Sequence, residues 1–349
     1  MSEESLPSVF GGPVLRGRIR SEPEDFRVEE IAAFEPAGSG EHLLLEVEKR
    51  GMNTVFAARR IARWAGVAES AVGYAGLKDR HALTRQRFSV WLPKKTSPDP
   101  ATLTGDGLRV LAADWHSRKL PRGALAGNRF VLRIRQVTGD HGKIESRLQA
   151  IAARGVPNYF GEQRFGRGGR NVEQARQMFD GRRFRRDQRS ILLSAARSEI
   201  FNAVLAGRVL AGDWDQPRPG DVFMLEGSQS VFGPVPVDAG IEARIADFDI
   251  HPTGPMWGRG TLRTTDAVAE AERTVADAHA DLCAGLEAAG LKQERRALRL
   301  PVRGAEWAWL PPDVLEVAFR LPPGAYATVV LKELGMLDSA AGDQALNGA

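Results

Sequence analysis

The sequence predicts an α+β (mixed) protein, and three observations predict it. Period-two apolar patterns of strand length fill the first 137 residues. Helical periodicities dominate after about Arg154. The two do not alternate in a regular βαβ order. At 349 residues the chain is long enough for two domains, or for one large domain carrying an insertion.

Each element has a local reason. Val14–Arg20 and Phe26–Ile31 read as strands flanking the turn-like Ser21-Glu-Pro-Glu, and His42–Glu48 as a third. Asn53 or Thr54 caps a helix to about Ala65, with Val55, Ala58, Ile61, Ala62 and Ala65 on one face. Ala71–Ala75 is a short strand, Gly76-Leu-Lys-Asp-Arg a turn, and Gln86–Leu92 a strand with Phe88, Val90 and Leu92 alternating. Arg109–Trp115 and Arg129–Val137 follow. The second sets Phe130, Leu132 and Ile134 against Arg129, Arg133 and Arg135. Beyond Arg154, Val172–Phe179 and Ser190–Leu210 are helices, the longer one apolar at Ile191, Leu192, Ala195, Ile200, Val204 and Leu205. Asp213–Arg263 is rich in Gly and Pro and reads as loops. Asp266–Ala289 reads as one Ala-rich amphipathic helix, Val314–Phe319 as a strand and Ala325–Leu334 as a helix.

Composition excludes several classes. Hydrophobic residues are 43% and charged residues 26%, which is globular. No apolar run reaches the ~18 residues of a membrane span, and the acidic N-terminus lacks the apolar core of a signal peptide. A soluble, cytoplasmic protein is expected. The single cysteine, Cys283, forms no internal disulfide and no Cys-rich zinc site. P-loop, dinucleotide-fingerprint and serine-elbow spacings are missing, and six scattered histidines include no i, i+4 metal pair. His279 and Asp281 read as a surface pair. Nothing marks an apolar interface, so a monomer without an obligate protein partner is expected.

The net charge of +4 is concentrated. Arg154 to Arg197 holds eleven Arg, no Lys and four acids, a local balance of +7. Arginine forks match phosphate and stack on bases. With Tyr159, Phe160, Phe165, Phe179 and Phe184 interleaved, the segment is either a nucleic-acid surface or a solvated face over a core. Its backbone-contact candidates are Arg164, Arg167, Arg170, Arg182, Arg183, Arg185 and Arg186, with Lys78 from outside it.

The segment most informative about chemistry is Tyr74-Ala-Gly-Leu-Lys-Asp-Arg-His-Ala-Leu-Thr-Arg-Gln-Arg-Phe-Ser-Val. It sets one carboxylate, Asp79, on a turn between strands beside Lys78, Arg80, His81 and Arg85. Those neighbours favour the charged form that a nucleophile or general base requires. The plain alternative is an Asp that shapes its own turn.

Ala75-Gly-Leu-Lys-Asp-Arg-His-Ala-Leu-Thr-Arg-Gln resembles the signature of the TruD family of tRNA pseudouridine synthases. Further stretches are similar to that family's motifs, in order: Pro23-Glu-Asp-Phe-Arg-Val-Glu-Glu, Gly123-Ala-Leu-Ala-Gly-Asn-Arg-Phe, Gly155-Val-Pro-Asn-Tyr-Phe-Gly-Glu-Gln-Arg-Phe-Gly, Leu193-Ser-Ala-Ala-Arg-Ser and Leu321-Pro-Pro-Gly-Ala-Tyr-Ala-Thr. Together they span about Arg18 to Leu334.

The resemblance implies a pseudouridine-synthase-type catalytic domain with a mixed or antiparallel sheet and flanking helices. This domain covers 1–153 plus 302–338 and is interrupted at 154–301 by an inserted TRUD-type α/β domain, with 339–349 an unstructured tail. It implies an isomerase (an intramolecular transferase) that converts uridine 13 of tRNA to pseudouridine, with no cofactor and no metal. Asp79 matches the family's catalytic aspartate, which either attacks C1′ or removes the C2′ proton. Both routes need an ionised carboxylate at the ribose. Arg20 stands where the family has a basic residue, often Lys, and would pair with Asp79; otherwise it is a solvated strand arginine. Phe26 would shape the uridine pocket, Asn128 would read a uracil edge and Phe130 would stack on the base. Core packing for the two Phe and a turn for Asn128 are the plain alternatives. Tyr326 matches a position that is often Phe. A non-catalytic RNA-binding protein or RNA chaperone of the same fold is the alternative function, and a hydrolase using Asp79 a third.

Overall fold

The structure, a computed structural model, describes residues 6–339, apart from the side chains of residues 162, 163 and 167. Of the tail expected from 339 onward, only Ser339 lies within the described residues. The chain forms two compact units. A sheet unit holds Pro13–Leu148, Val302–Ala325 and the chain from Leu334. A helical unit holds the chain to Gly12, Gln149–Pro301 and Tyr326–Glu333.

In chain order the first elements are β1 (Leu15–Ile19), β2 (Phe26–Ala32), β3 (His42–Arg50), α1 (Thr54–Ala65), β4 (Val72–Tyr74), β5 (Leu83–Trp91), β6 (Leu108–His116), β7 (Leu125–Gly139) and α2 (His141–Arg154). The central part adds β8 (Val156–Pro157), α3 (Glu162–Phe165), α4 (Arg170–Phe179), α5 (Arg186–Leu210), β9 (Phe223–Leu225), β10 (Val231–Phe232), α6 (Ala239–Ala246), β11 (Ile250–Met256), α7 (Asp266–Ala278), α8 (Ala280–Ala288), β12 (Glu294–Ala297) and β13 (Arg299–Leu300). The chain closes with β14 (Arg303–Leu310), β15 (Val314–Leu321), α9 (Ala327–Leu334) and β16 (Gly335–Ser339). The mixed α+β class expected from the sequence is the class observed.

The sheet unit is built on one ten-stranded mixed sheet, ordered β14-β15-β7-β2-β5-β3-β6 along its main path. β1 joins β7 antiparallel and β16 parallel. β2 and β5 also run parallel, and the remaining pairs are antiparallel. Alternation sorts the two faces. Phe26, Val28, Phe130, Leu132, Val317 and Phe319 share one face through register pairs and are buried. On the opposite face, a single register row crosses seven strands through Arg303, Arg320, Arg129, Glu29, Arg85, Glu48 and Arg109. Its neighbours ion-pair at 3.3 Å (Arg129–Glu29), 3.1 Å (Arg85–Glu48) and 2.8 Å (Arg109–Glu48). Apolar in and charged out is what a sheet with one solvated face requires.

Helix α1 starts where the Asn53 side chain accepts from the Phe56 N–H at 2.8 Å and stops at the left-handed Gly66. Its buried face is Ala57, Ala58, Ile61 and Ala62, packed on Leu45, Val47, Phe88 and Val90. Val55, expected on that face, is instead exposed, because the apolar stripe is set by Ala57.

The helical unit packs α4, α5, α7 and α8 around Leu192, Ala195, Ile200, Phe201, Leu205, Leu282 and Leu286. Ile191, expected on the buried face of α5, is exposed. The stretch expected as loops, Asp213–Arg263, contains strands β9 and β11 and helix α6 around Phe223, Ile241, Ile245 and Ile250. The expected single helix over Asp266–Ala289 is two. His279 leaves helical geometry (φ −123°, ψ 33°), and its Nδ1 meets the Val275 carbonyl at 2.9 Å. Asp281 pairs with Arg176 at 2.6 Å rather than with His279. No helix among the described residues is long and apolar enough to cross a membrane.

Candidate active site

The turn bearing Asp79 is fixed by a gap in the sheet. On one edge of β5, β2 pairs with Leu83–Arg85 and β4 with Phe88–Val90, so Gln86 and Arg87 have no strand partner there. Side chains fill the gap. Glu30, at the end of the β2 motif, accepts from the Arg87 N–H at 3.3 Å and from Lys78 Nζ at 3.0 Å. Gln86 donates to the Gly76 carbonyl at 2.9 Å and accepts from the Thr54 hydroxyl at 3.0 Å. That hydroxyl accepts in turn from the Lys78 N–H at 2.9 Å. Bonds at Gly76 and Lys78 hold the chain leading into the turn and so fix the geometry of the residue that follows.

That residue is Asp79, whose side chain is 28% exposed. Its Oδ1 accepts from the His81 N–H at 3.0 Å, an Asx-turn bond. Its Oδ2 accepts from Arg20 Nη2 at 2.9 Å. Arg20 follows β1 with φ +58°, a conformation that costs a non-glycine residue about 1 kcal/mol. It is held there by its bond to Asp79 and by its guanidinium, which lies 4.1 Å from the centre of the Phe26 ring. Arg20 is therefore an ion-pair partner of the turn carboxylate and not a solvated strand arginine.

Phe26 and Phe130 are both buried and meet edge to face at 6.3 Å, with Phe319 5.7 Å from Phe130. Asn128 lies opposite Glu30 on the same sheet face, and its buried Oδ1 has no partner. A buried amide oxygen without a donor is costly in a free protein, and it suits a carbonyl that waits for a ligand N–H. Arg20, Asp79, Phe26, Asn128 and Phe130 thus belong to one unit. Tyr326 belongs to the other.

Lys78, expected among the backbone contacts, is only 5% exposed and sealed against Glu30. Arg182, Arg183 and Arg185 are exposed between α4 and α5, and Arg186 is exposed as the first residue of α5. Arg182 lies 5.4 Å from the Phe184 ring. Together with Arg183 and Arg189, it lines an open groove whose far side is Gly285 and Ala288. Arg170 is exposed at the start of α4, Arg164 is half-buried beside Phe160, and the side chain of Arg167 lies outside those described. Arg154 and Arg176, which raised the local charge count, are neutralised by Asp215 and Asp281.

Sequence reasoning missed the anchors. Glu30, Thr54 and Gln86 look unremarkable singly, although Glu30 and Gln86 lie inside the quoted motifs. It also missed Lys49, which is fully buried on β3 with Nζ donating to the Met52 carbonyl at 2.6 Å. Burial, with the Lys78 charge nearby, pushes Lys49 down to about 8, and Asp79 opposes that shift.

The model of the TruD family, tRNA pseudouridine synthase D, matches residues 9–174 and 181–334. A tRNA pseudouridine synthase D of Xanthomonas axonopodis pv. citri is 56% identical over 96% of both chains. One of Methylococcus capsulatus is 49% identical over 96% of this chain and 95% of its own. The crystal structure of a putative tRNA pseudouridine synthase D from Methanosarcina mazei superposes with a TM-score of 0.73 at 20% identity. It covers 94% of this chain and 95% of that one, so the fold is shared. By the extent of these matches, the chain belongs to the tRNA pseudouridine synthase D (TruD) family.

Proposed function

We propose that the chain isomerises a uridine of tRNA, expected at position 13, to pseudouridine, with Asp79 acting at the ribose. The observation that carries this reading is the state of the Asp79 carboxylate. It is partly exposed, follows the anchored Gly76 and Lys78, and is held by Arg20 on one oxygen and a backbone N–H on the other. Isomerisation breaks the C1′–N1 bond and forms C1′–C5; N1 gains a proton and C5 loses one. An ionised carboxylate beside the ribose either bonds to C1′ or takes the C2′ proton. Arg20 orients it.

The neighbouring Phe26 and Phe130 form the floor of the uridine pocket, and the Asn128 amide oxygen takes a uracil N–H. Tyr326 is a further residue for substrate contact, by its match to the family motif. The sheet unit serves as the catalytic domain, and residues 154–301 as the inserted domain that grips the RNA backbone. Catalysis needs no metal or cofactor. The substrate fits a cytoplasmic monomer.

The test is tritium release from tRNA labelled at uridine C5, with a parallel assay for free uracil. Wild type should release tritium without free uracil. Asp79→Asn should release none while binding tRNA within about twofold of wild type. Free uracil would instead indicate a hydrolase. Tight tRNA binding with no release by wild type would indicate a binding protein.

A further inference from the structure

In the helical unit, Arg164 and Arg296 share one aromatic ring. The Arg296 guanidinium lies 4.1 Å from the centre of Phe160, and that of Arg164 lies 5.1 Å from it. The ring is itself immobilised. Asn202 bonds both the N–H and the carbonyl of Phe160 at 2.9 Å, and Phe201 meets the ring edge-on at 5.5 Å. Arg296 Nη2 donates to Asn158 Oδ1 at 2.6 Å, and Arg164 Nη1 donates to the Ser194 hydroxyl at 2.7 Å. Both acceptors are neutral. Each arginine also keeps a buried Nε without a partner.

Other arginines of this unit are treated differently. Arg154 binds Asp215 at 2.9 Å, Arg208 binds Asp213 and Asp221 at 2.7 and 2.8 Å, and Arg295 binds Glu272 at 2.7 Å. A charge taken out of water is tolerated when a counter-charge meets it, and is strongly unfavourable otherwise. Two like charges side by side on one ring compound the cost. The effect is visible in Arg296, which burial and the adjacent Arg164 push down to about 10. Among the described residues no carboxylate pairs with either guanidinium, so the natural complement of the pair is an anion from outside.

We infer that Arg164 and Arg296, mounted on Phe160, form a binding site for a phosphate group, occupied by a phosphodiester of the RNA substrate. Planar guanidinium forks match paired phosphate oxygens. With the ring already covered by arginine, the site reads charge rather than base identity. Arg296 supplies the fork, Asn158 fixes its orientation, and Arg164 supplies the second cation. The choice of RNA as the source of the phosphate rests on the function proposed above.

Arg296→Met in the full chain tests this. In phosphate-free buffer the variant should melt at a higher temperature than wild type, because an uncompensated cation has been removed. Inorganic phosphate should raise the melting temperature of wild type but not of the variant. The affinity for tRNA should fall about tenfold, and the slope of log Kd against log salt should drop by about one. Arg164→Met should repeat the pattern, and Arg296→Lys should restore part of the affinity.

A lower melting temperature with unchanged tRNA binding would make Arg296 a structural cation and overturn the inference. A phosphate effect on melting with unchanged tRNA binding would assign the site to free phosphate and overturn the RNA assignment. If wild type modifies tRNA and Arg296→Met binds it equally well, this inference fails and the functional reading stands. If wild type releases no tritium, the functional reading fails, and the melting response to phosphate still decides whether the anion site exists.

Discussion

Lys49→Met should stabilise the protein at neutral pH and destabilise it at high pH. The Lys49 side chain is fully buried, and its one hydrogen bond in the described structure is to the Met52 carbonyl. Burial moves it from an ordinary 10.5 to about 8. At 1.36 kcal/mol per pH unit, that gap corresponds to about 3 kcal/mol that the charged form costs the folded state. The sign follows from proton binding. Between about pH 8 and 10.5 the unfolded chain holds more protons than the folded one, so the stability of wild type rises with pH across this window. Below about pH 8 both states are protonated and the full cost is present.

Methionine keeps the apolar stem and removes the charge. It also leaves the Met52 carbonyl without its donor, which costs about 1–2 kcal/mol. The variant should therefore be about 1–2 kcal/mol more stable than wild type at pH 7, and less stable by a similar amount near pH 10.5. Urea unfolding at both pH values, with m unchanged, measures the difference directly. A variant destabilised equally at both would refute the reasoning, since it would mean that Lys49 binds its proton equally well in the folded and unfolded states.

Three further outcomes follow from the same structure. Arg20→Met removes a charge-assisted bond to Asp79, of about 1.5–3 kcal/mol, and should lower kcat roughly 10- to 150-fold with KM little changed. Arg20→Lys should recover part of it, and equal kcat in Arg20→Met would remove Arg20 from the site. Arg135→Met strips the bidentate partner, at 2.7–2.9 Å, from the fully buried carboxylate of Asp25. It should destabilise by about 3–5 kcal/mol, read by urea unfolding. Replacing Arg182, Arg183, Arg185 and Arg186 together should weaken tRNA binding and flatten its salt dependence. An unchanged slope would show that this exposed turn does not face RNA.

Local chemistry was legible in the sequence wherever a pattern was local. The α1 cap at Asn53, the Asp79 turn and the alternation along β7 were all readable. So was α2, although it went unread: Ile144, Leu148 and Ile151 are buried at helical spacing. The α7–α8 break was not readable from periodicity, because Ala-rich sequence continues through His279, whose non-helical backbone and ring contact with the Val275 carbonyl mark the break. In Ile250–Met256, Pro252 and Pro255 hide a strand whose partners lie far along the chain. The site shows the same divide. Asp79, Arg20 and Asn128 announce themselves by residue type and motif. Glu30, Gln86 and Thr54 matter only because a sheet edge is interrupted beside them. Arg296 stands in β12, where no motif drew attention to it.

The pairing of β1 with β16 has a consequence for biosynthesis. Leu15 is aligned with Gly335, 320 positions later. At about 5–20 residues per second, the ribosome delivers the second strand on the order of tens of seconds after the first. Throughout that interval β1 has at most β7 as a partner, and its other edge is open to any extended chain nearby. The helical unit likewise waits for Tyr326–Glu333. Neither unit can be completed before these late segments have been made, so a chain that stalls before Gly335 carries an unsealed strand.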